Sequence, residues 1–291
     1  MDLRPSVNAK LQGIALFLTA TLLFAIHDAT SKYLIPFFAI PLLVWARYVV
    51  HLSIMLIAVA PGMGRELVVT RRPWLMTLRA LTLVGVSLLF QNALKALPLA
   101  ETTAIVFVTP LLVALLAGPL LGEKVRLKSW LATIAGFCGV LLIARPGGAM
   151  SASGVAYALG SALCYAAYQI LTRKLSATEP ALRQLFYTAL IGTIAMSLIV
   201  PTYWNALWPT PGQALLIVSL GLTAGVGHFL LIRAFRQTPA STLSPLLYVQ
   251  LVWAMLLGLI VFGQLPDLLT TIGMVIIGTS CLSLALQRAP G

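Results

Sequence analysis

Ten apolar stretches, each near 20 residues, follow one another along the chain at about 11–35, 41–60, 74–96, 99–121, 127–145, 153–174, 181–201, 213–235, 240–262 and 267–287. That length suits a helix crossing the hydrocarbon core of a bilayer. Lipid cannot satisfy backbone N–H and C=O groups, so each crossing must bond to itself. The expected fold class is an all-α membrane protein with ten transmembrane helices. The connections are too short for a soluble domain, which places function inside the bundle.

Charge supports the same class. Only 9% of the residues are charged, against roughly 25% in a soluble domain. The net charge of +12 could suggest a nucleic-acid partner, but the positions of the charges argue otherwise. With the N-terminus inside and the spans alternating, fourteen Lys and Arg fall near the cytoplasmic side, Arg65, Arg71, Arg72 and Arg183 among them. Lys32, Lys95 and Arg145 fall near the outer side, and Arg47 and Arg79 lie within spans. This positive-inside bias predicts an inner (plasma) membrane protein with both termini cytoplasmic and no nucleic-acid partner. Cys138, Cys164 and Cys281 sit in apolar spans with no metal-like spacing and read as packing residues. A basic flank before the first span raises the possibility of a cleaved signal peptide. The repeat described next argues that the segment stays.

Shifted by 141 residues, the chain aligns with itself. "GIALFLTATLLFAIHDATSKYL" (13–34) falls on "GVAYALGSALCYAAYQILTRKL" (154–175), Lys95 on Arg236, Pro98 on Pro239 and Gly122 on Gly263. The predicted units are 1–145 and 146–291, with five spans each. Five is odd, so the second unit enters the membrane inverted. Inverted repeats recur in secondary transporters, with the binding site between the halves.

Ten spans, two inverted five-span halves, a "GEK" after the fourth span and short loops resemble the drug/metabolite transporter superfamily, EamA type, over the whole chain. Within it the chain is most similar to YddG-type amino-acid exporters. The resemblance implies a ten-helix bundle around a central cavity, lined mainly by the third and fourth helices of each half with the first. It also implies export. The chain departs from the family pattern where Gln264 replaces a frequent Glu.

Side-chain spacing nominates a site. In the first span Ala20, Phe24, His27 and Ser31 form one helical stripe. The sixth span repeats it with Ser161, Tyr165, Tyr168 and Thr172. A polar stripe in lipid faces a cavity, where it can stack on or hydrogen-bond a solute, or it acts as interhelical glue. Ser87 and Gln91 on the third span, His228 on the eighth, and Tyr248 and Trp253 on the ninth complete the expected substrate-binding set. Pro110 within the fourth span serves as a hinge or a static kink.

Asp28 and Lys32 stand in the favourable i, i+4 order, and Arg47 lies at matching depth across the first turn. Their repeat equivalents, Gln169 and Thr188 for Asp28 and Arg47, lack charge. Asp28 is therefore expected to be a structural partner of Arg47 or Lys32 rather than a proton-coupling site.

Catalytic residues, metals and cofactors are not expected. His27, His51 and His228 stand in no H-E-x-x-H motif, and no Walker loop is present. A channel would need a ring of selectivity groups. A lipid or nucleotide-sugar translocator would want a cluster of cations in the cavity. The expected partners are the bilayer and a small amino acid or related metabolite, aromatic ones included. The expected unit is a monomer or a weak homodimer through glycine faces such as Gly221 and Gly225.

Overall fold

The structure is a computed structural model and describes residues 7–121, 127–144, 150–176, 178–204, 208–237, 246 and 249–285. The helices are α1 (Val7–Leu34), α2 (Ile40–Ile54), α3 (Pro73–Ala96), a fourth in two pieces, α4a (Leu99–Val106) and α4b (Thr109–Leu121), α5 (Leu127–Ala144), α6 (Ala152–Ser176), α7 (Ala181–Ile199), α8 (Pro211–Gln237), α9 (Val249–Phe262) and α10 (Leu268–Ala285). Six helical runs of 21 to 28 residues are long and apolar enough to cross a membrane. Four shorter apolar helices complete the ten among the described residues. The "GEK" turn and the helical start expected near 240 lie outside the described residues.

The 141-residue period is visible in the helix bounds. Shifted by that amount, α5 takes the bounds of α10, the start of α2 becomes that of α7, and the end of α3 becomes that of α8. The packing repeats too. α1 lies along α8 and α6 along α3; α2 packs on α8 and α7 on α3; α1 meets α9 and α6 meets α4. α5 pairs with its own counterpart α10, and α2 with α7. Exchange of the halves leaves this pattern unchanged, and every one of these contacts joins one half to the other. The fold is thus two inverted five-helix repeats that interlock around a shared centre.

Small residues allow the close approaches. Ala158, Ala162 and Ala166 on α6 are fully buried in one cluster with Ala93, Ala100 and Ala104, the small-residue packing that membrane helices use. Large apolar side chains instead face outward, with Leu198, Ile57 and Ile260 each over 70% exposed, as a lipid-facing surface requires. Gly192 on α7 accepts the ring of Tyr48 on α2, and a Cβ there would stand 2.5 Å from that ring. Gly192→Ala is therefore expected to lower stability by about 1–3 kcal/mol through overpacking. Thermal unfolding of the purified protein checks this, and an unchanged midpoint would show that the ring gives way freely.

The break in the fourth helix follows from Pro110, which cannot donate to the carbonyl of Val106. Thr109 fills the gap, its hydroxyl donating to Val106 O at 2.6 Å. α9 ends with Gly263 at φ +63, as Gly263 N–H bonds to Leu259 O and Gln264 N–H to Gly258 O. This is the left-handed helix stop that favours glycine. Asp267 then caps α10, accepting from Thr270 N–H at 2.9 Å.

Candidate functional site

Between the halves lies a cavity of about 190 Å³. α1 contributes Phe24, His27, Asp28 and Ser31, α2 Arg47, and α3 Ser87, Phe90 and Gln91. The broken α4 contributes Thr103, Phe107, Thr109 and Pro110, α6 Tyr165 and Gln169, α8 His228, and α9 Gln250. The break at Pro110 thus opens directly onto this space.

Of the side chains expected from the sequence, Phe24, His27, Ser87, Gln91, Tyr165 and His228 stand together in the wall, with Asp28 and Arg47. Phe24 and His228 pack ring to ring at 5.0 Å, and Phe24 lies over Gly227, where a Cβ would meet it at 2.7 Å. His27 Nδ1 donates to Leu220 O at 3.0 Å, tying α1 to α8. Gln250, Phe90, Thr103 and Phe107 were not in the expected set. Gln250 carries a legible signal, being an amide in the apolar ninth span.

Three expected residues stand elsewhere, and Tyr248 lies outside the described residues. Trp253 is outside the wall, and its indole nitrogen is buried with no partner among the described residues. Lys32 donates to Leu94 O and Leu97 O at 2.7 and 2.5 Å, with its ammonium over the Phe262 ring. It anchors the end of α3 rather than pairing with Asp28. Tyr168 is buried at 7% exposure, where its phenol oxygen accepts from Arg79 Nη2 at 2.6 Å and its ring lies 4.3 Å from the guanidinium carbon. Arg79 also donates to Thr172 Oγ1, Gln184 O and Thr188 Oγ1 at 2.6, 3.0 and 2.7 Å. A guanidinium buried in the bilayer needs every donor satisfied, and Tyr168 serves that need instead of facing the cavity. The sixth-span stripe is therefore divided. Tyr165 faces the space, while Ser161, bonded to Val86 O, Tyr168 and Thr172 hold α6 to its neighbours.

The expected Asp28 pairings also differ. No ion pair within 4.0 Å joins Asp28 to Arg47 or Lys32 among the described residues. The Gln250 amide shares the wall with the Asp28 carboxylate instead. Arg47 Nη2 donates to Ser87 Oγ at 2.7 Å, and its guanidinium lies 4.3 Å from the Tyr48 ring centre. Stacking and the serine draw the arginine head toward α3, leaving space between two opposite charges that share one wall.

A second polar cluster joins the connection after α2 to the one after α6. Glu179 Oε1 accepts from Thr70 Oγ1 at 2.6 Å and Arg71 N–H at 3.2 Å, and Oε2 pairs with Arg183 at 2.7 Å. Arg183 Nε donates to Glu66 O, and Tyr187 to Val68 O, at 2.6 and 2.7 Å. Burial acts to raise the Glu179 carboxyl, but hydrogen bonds from Thr70, Arg183 and Arg71 outweigh it and hold the group below the usual carboxylate range.

Comparison with known proteins accords with this architecture. Residues 11–145 and 152–286 each match the EamA-like transporter family. The chain is 27% identical to the S-adenosylmethionine uptake transporter of Rickettsia prowazekii, over 94% of this chain and 92% of that one. It is 26% identical to the riboflavin transporter of Vibrio cholerae, over 88% and 87%. It is 28% identical to the pseudopaline exporter of Pseudomonas aeruginosa, over 66% and 68%. A solved crystal structure superposes with a TM-score of 0.65 at 21% identity, covering 95% of this chain and 96% of that one. The three named relatives carry S-adenosylmethionine, riboflavin and pseudopaline in their names, so the likeness extends to the family and not specifically to YddG-type amino-acid exporters.

Proposed function

The chain belongs to the EamA-like transporter family, a multi-pass membrane transporter and not an enzyme, and from that premise we propose that it is a secondary transporter of small zwitterionic metabolites, amino acids with aromatic ones among them. The observation that carries the reading is the cavity wall. It combines aromatic rings (Phe24, Tyr165), amides (Gln91, Gln250) and one charge of each sign. Such a wall holds a solute by stacking and a few directed hydrogen bonds. At about 190 Å³ the space is smaller than the roughly 300–1,000 Å³ usual for drug-sized ligands, which favours amino-acid-sized cargo. A lipid- or nucleotide-sugar-type cargo fits less well, because phosphates want several cations and Arg47 is the one Lys or Arg in the described wall.

A second reading is favoured by relatives named for S-adenosylmethionine uptake, one matching over 92% of its length. That cargo shares the amino-acid head but adds a nucleoside, so the cavity would have to widen. Relatives are named for uptake and for export, and we assign direction to the driving gradient rather than to the fold.

In this reading halves 1–145 and 146–291 rock against each other by alternating access, within a single chain in the inner (plasma) membrane. Both termini lie in the cytoplasm, which makes the Glu179 cluster an inner-side latch. Two experiments test the reading. Proteoliposomes should take up labelled L-phenylalanine and L-methionine saturably, with and without a pH gradient. Uptake of S-adenosylmethionine alone would favour the second reading, and uptake of none would end both. For topology, Thr202→Cys in a background with Cys138, Cys164 and Cys281 changed to Ser should label with an impermeant thiol reagent on intact cells. Labelling confined to inverted vesicles would reverse the orientation.

A further inference from the structure

Asp28 and Arg47 carry opposite charges into one cavity without forming an ion pair. Arg47 is held by a neutral group, donating to Ser87 Oγ at 2.7 Å, and Asp28 has the neutral Gln250 amide in the same wall. Three buried polar atoms on residues of the same wall, Ser31 Oγ, Arg47 Nε and Gln91 Oε1, have no hydrogen-bond partner among the described residues. Orphaned buried polar atoms are uncommon and each calls for an explanation. Here all three residues line one space, the one that also holds both charges. They include one N–H of the cation itself (Arg47 Nε) and an acceptor for an N–H (Gln91 Oε1).

We infer that Arg47 receives the carboxylate of the solute while Asp28 receives its ammonium, so that the site selects solutes with a zwitterionic amino-acid head over analogues that lack either charge of that head. The inference rests on the transporter reading above and adds a rule of charge to it. The physics is compensation. An uncompensated charge in a low-dielectric, membrane-buried site is costly. A purely anionic solute would neutralise Arg47 and strand Asp28, and a purely cationic one would do the reverse. A phosphorylated solute would bring surplus negative charge against a single arginine. A zwitterion answers both ends at once, and its side chain is left to the Phe24 and Tyr165 rings. The repeat counterparts of the two charges, Gln169 and Thr188, are neutral. The charged head is therefore read by the first half alone, which fixes the orientation of a solute in an otherwise pseudo-symmetric cavity.

The test is equilibrium binding of labelled L-phenylalanine to the purified full chain, competed by phenylethylamine, which lacks the carboxylate, and by 3-phenylpropionate, which lacks the amine. Both should compete at least tenfold more weakly than unlabelled L-phenylalanine. Asp28→Asn should weaken phenylalanine about tenfold and close its gap to 3-phenylpropionate. Arg47→Gln should close the gap to phenylethylamine. A one-ended analogue that matches phenylalanine on the wild-type protein overturns the inference, whether or not the variants fold. So do folded variants that keep the wild-type ranking. Absence of any phenylalanine binding by the folded protein is a separate outcome that overturns the proposed amino-acid cargo. The charge rule is then read with S-adenosylmethionine against its decarboxylated analogue, and equal binding of those two overturns it.

Discussion

Tyr168→Ala should cost the fold before it costs transport. Removing a buried aromatic ring costs about 3–5 kcal/mol through lost burial and the cavity left behind. Here the loss also strips Arg79 of the phenol bonded at 2.6 Å and of the ring 4.3 Å away, leaving a guanidinium N–H unpaired at membrane depth. Native stability is often only 5–15 kcal/mol, so a loss of about 4 kcal/mol removes a large share of it. Tyr168→Phe keeps the ring and drops one hydrogen bond, for about 1–3 kcal/mol. Both variants should unfold at lower temperature than wild type, in that order, and the Phe variant should keep near-normal apparent affinity. Tyr165→Ala, on the cavity side of the same helix, should show the opposite balance. A Tyr168→Ala protein that unfolds like wild type but binds poorly would return Tyr168 to the substrate path.

The contrast between these two tyrosines marks how far the sequence could be read. The spans, the period and the inversion were all legible, because apolar length and repeated Gly, Pro and basic landmarks act locally along the chain. The helix bounds follow the 141-residue shift for the same reason. The stripe on α6 was legible as polar, but its use was not. Tyr165 and Tyr168 are about 60° apart around the helix axis, and which of them meets the cavity depends on Arg79, 89 residues away in the chain. An arginine inside a span announces that it needs partners, not which ones. Asp28 and Arg47 show a related limit. Matching depth along two helices predicts nearness, and both do reach one wall. The direction of Arg47 is set by Ser87 and Tyr48, which a depth argument does not include. Gln250 was visible as an amide in an apolar span, yet its role depends on a third helix carrying it to Asp28.

The other large effect is expected at the latch. Glu179→Ala removes the acceptor shared by Thr70, Arg71 and Arg183. Hydrogen bonds to a charged group contribute about 1.5–3 kcal/mol each and do not simply add. Under the proposed alternating access, a net change on the order of 3 kcal/mol would move the closed-to-open ratio at the proposed inner face roughly a hundredfold, at 1.4 kcal/mol per tenfold. Leu83→Cys, placed in the cavity wall of a protein otherwise free of cysteine, reports the change as faster thiol labelling in inverted vesicles. The acid response carries a definite sign. Glu179 is held below its ordinary range, and an unperturbed Glu titrates near 4.3. Its contribution is therefore complete above about pH 4.3 and fades as pH falls through the lower folded value. Taken relative to the unfolded protein at the same pH, which cancels the loss of thiolate, labelling of the wild type should stay flat from pH 7 to 5 and rise only in stronger acid. Glu179→Gln should label faster than wild type at pH 7 and lack that acid rise. Equal labelling of Leu83→Cys with and without Glu179→Ala would mean that the cluster does not act as a latch. The closure would then rest on Tyr187 and Val68, on Arg79, and on the packing of α2 against α7.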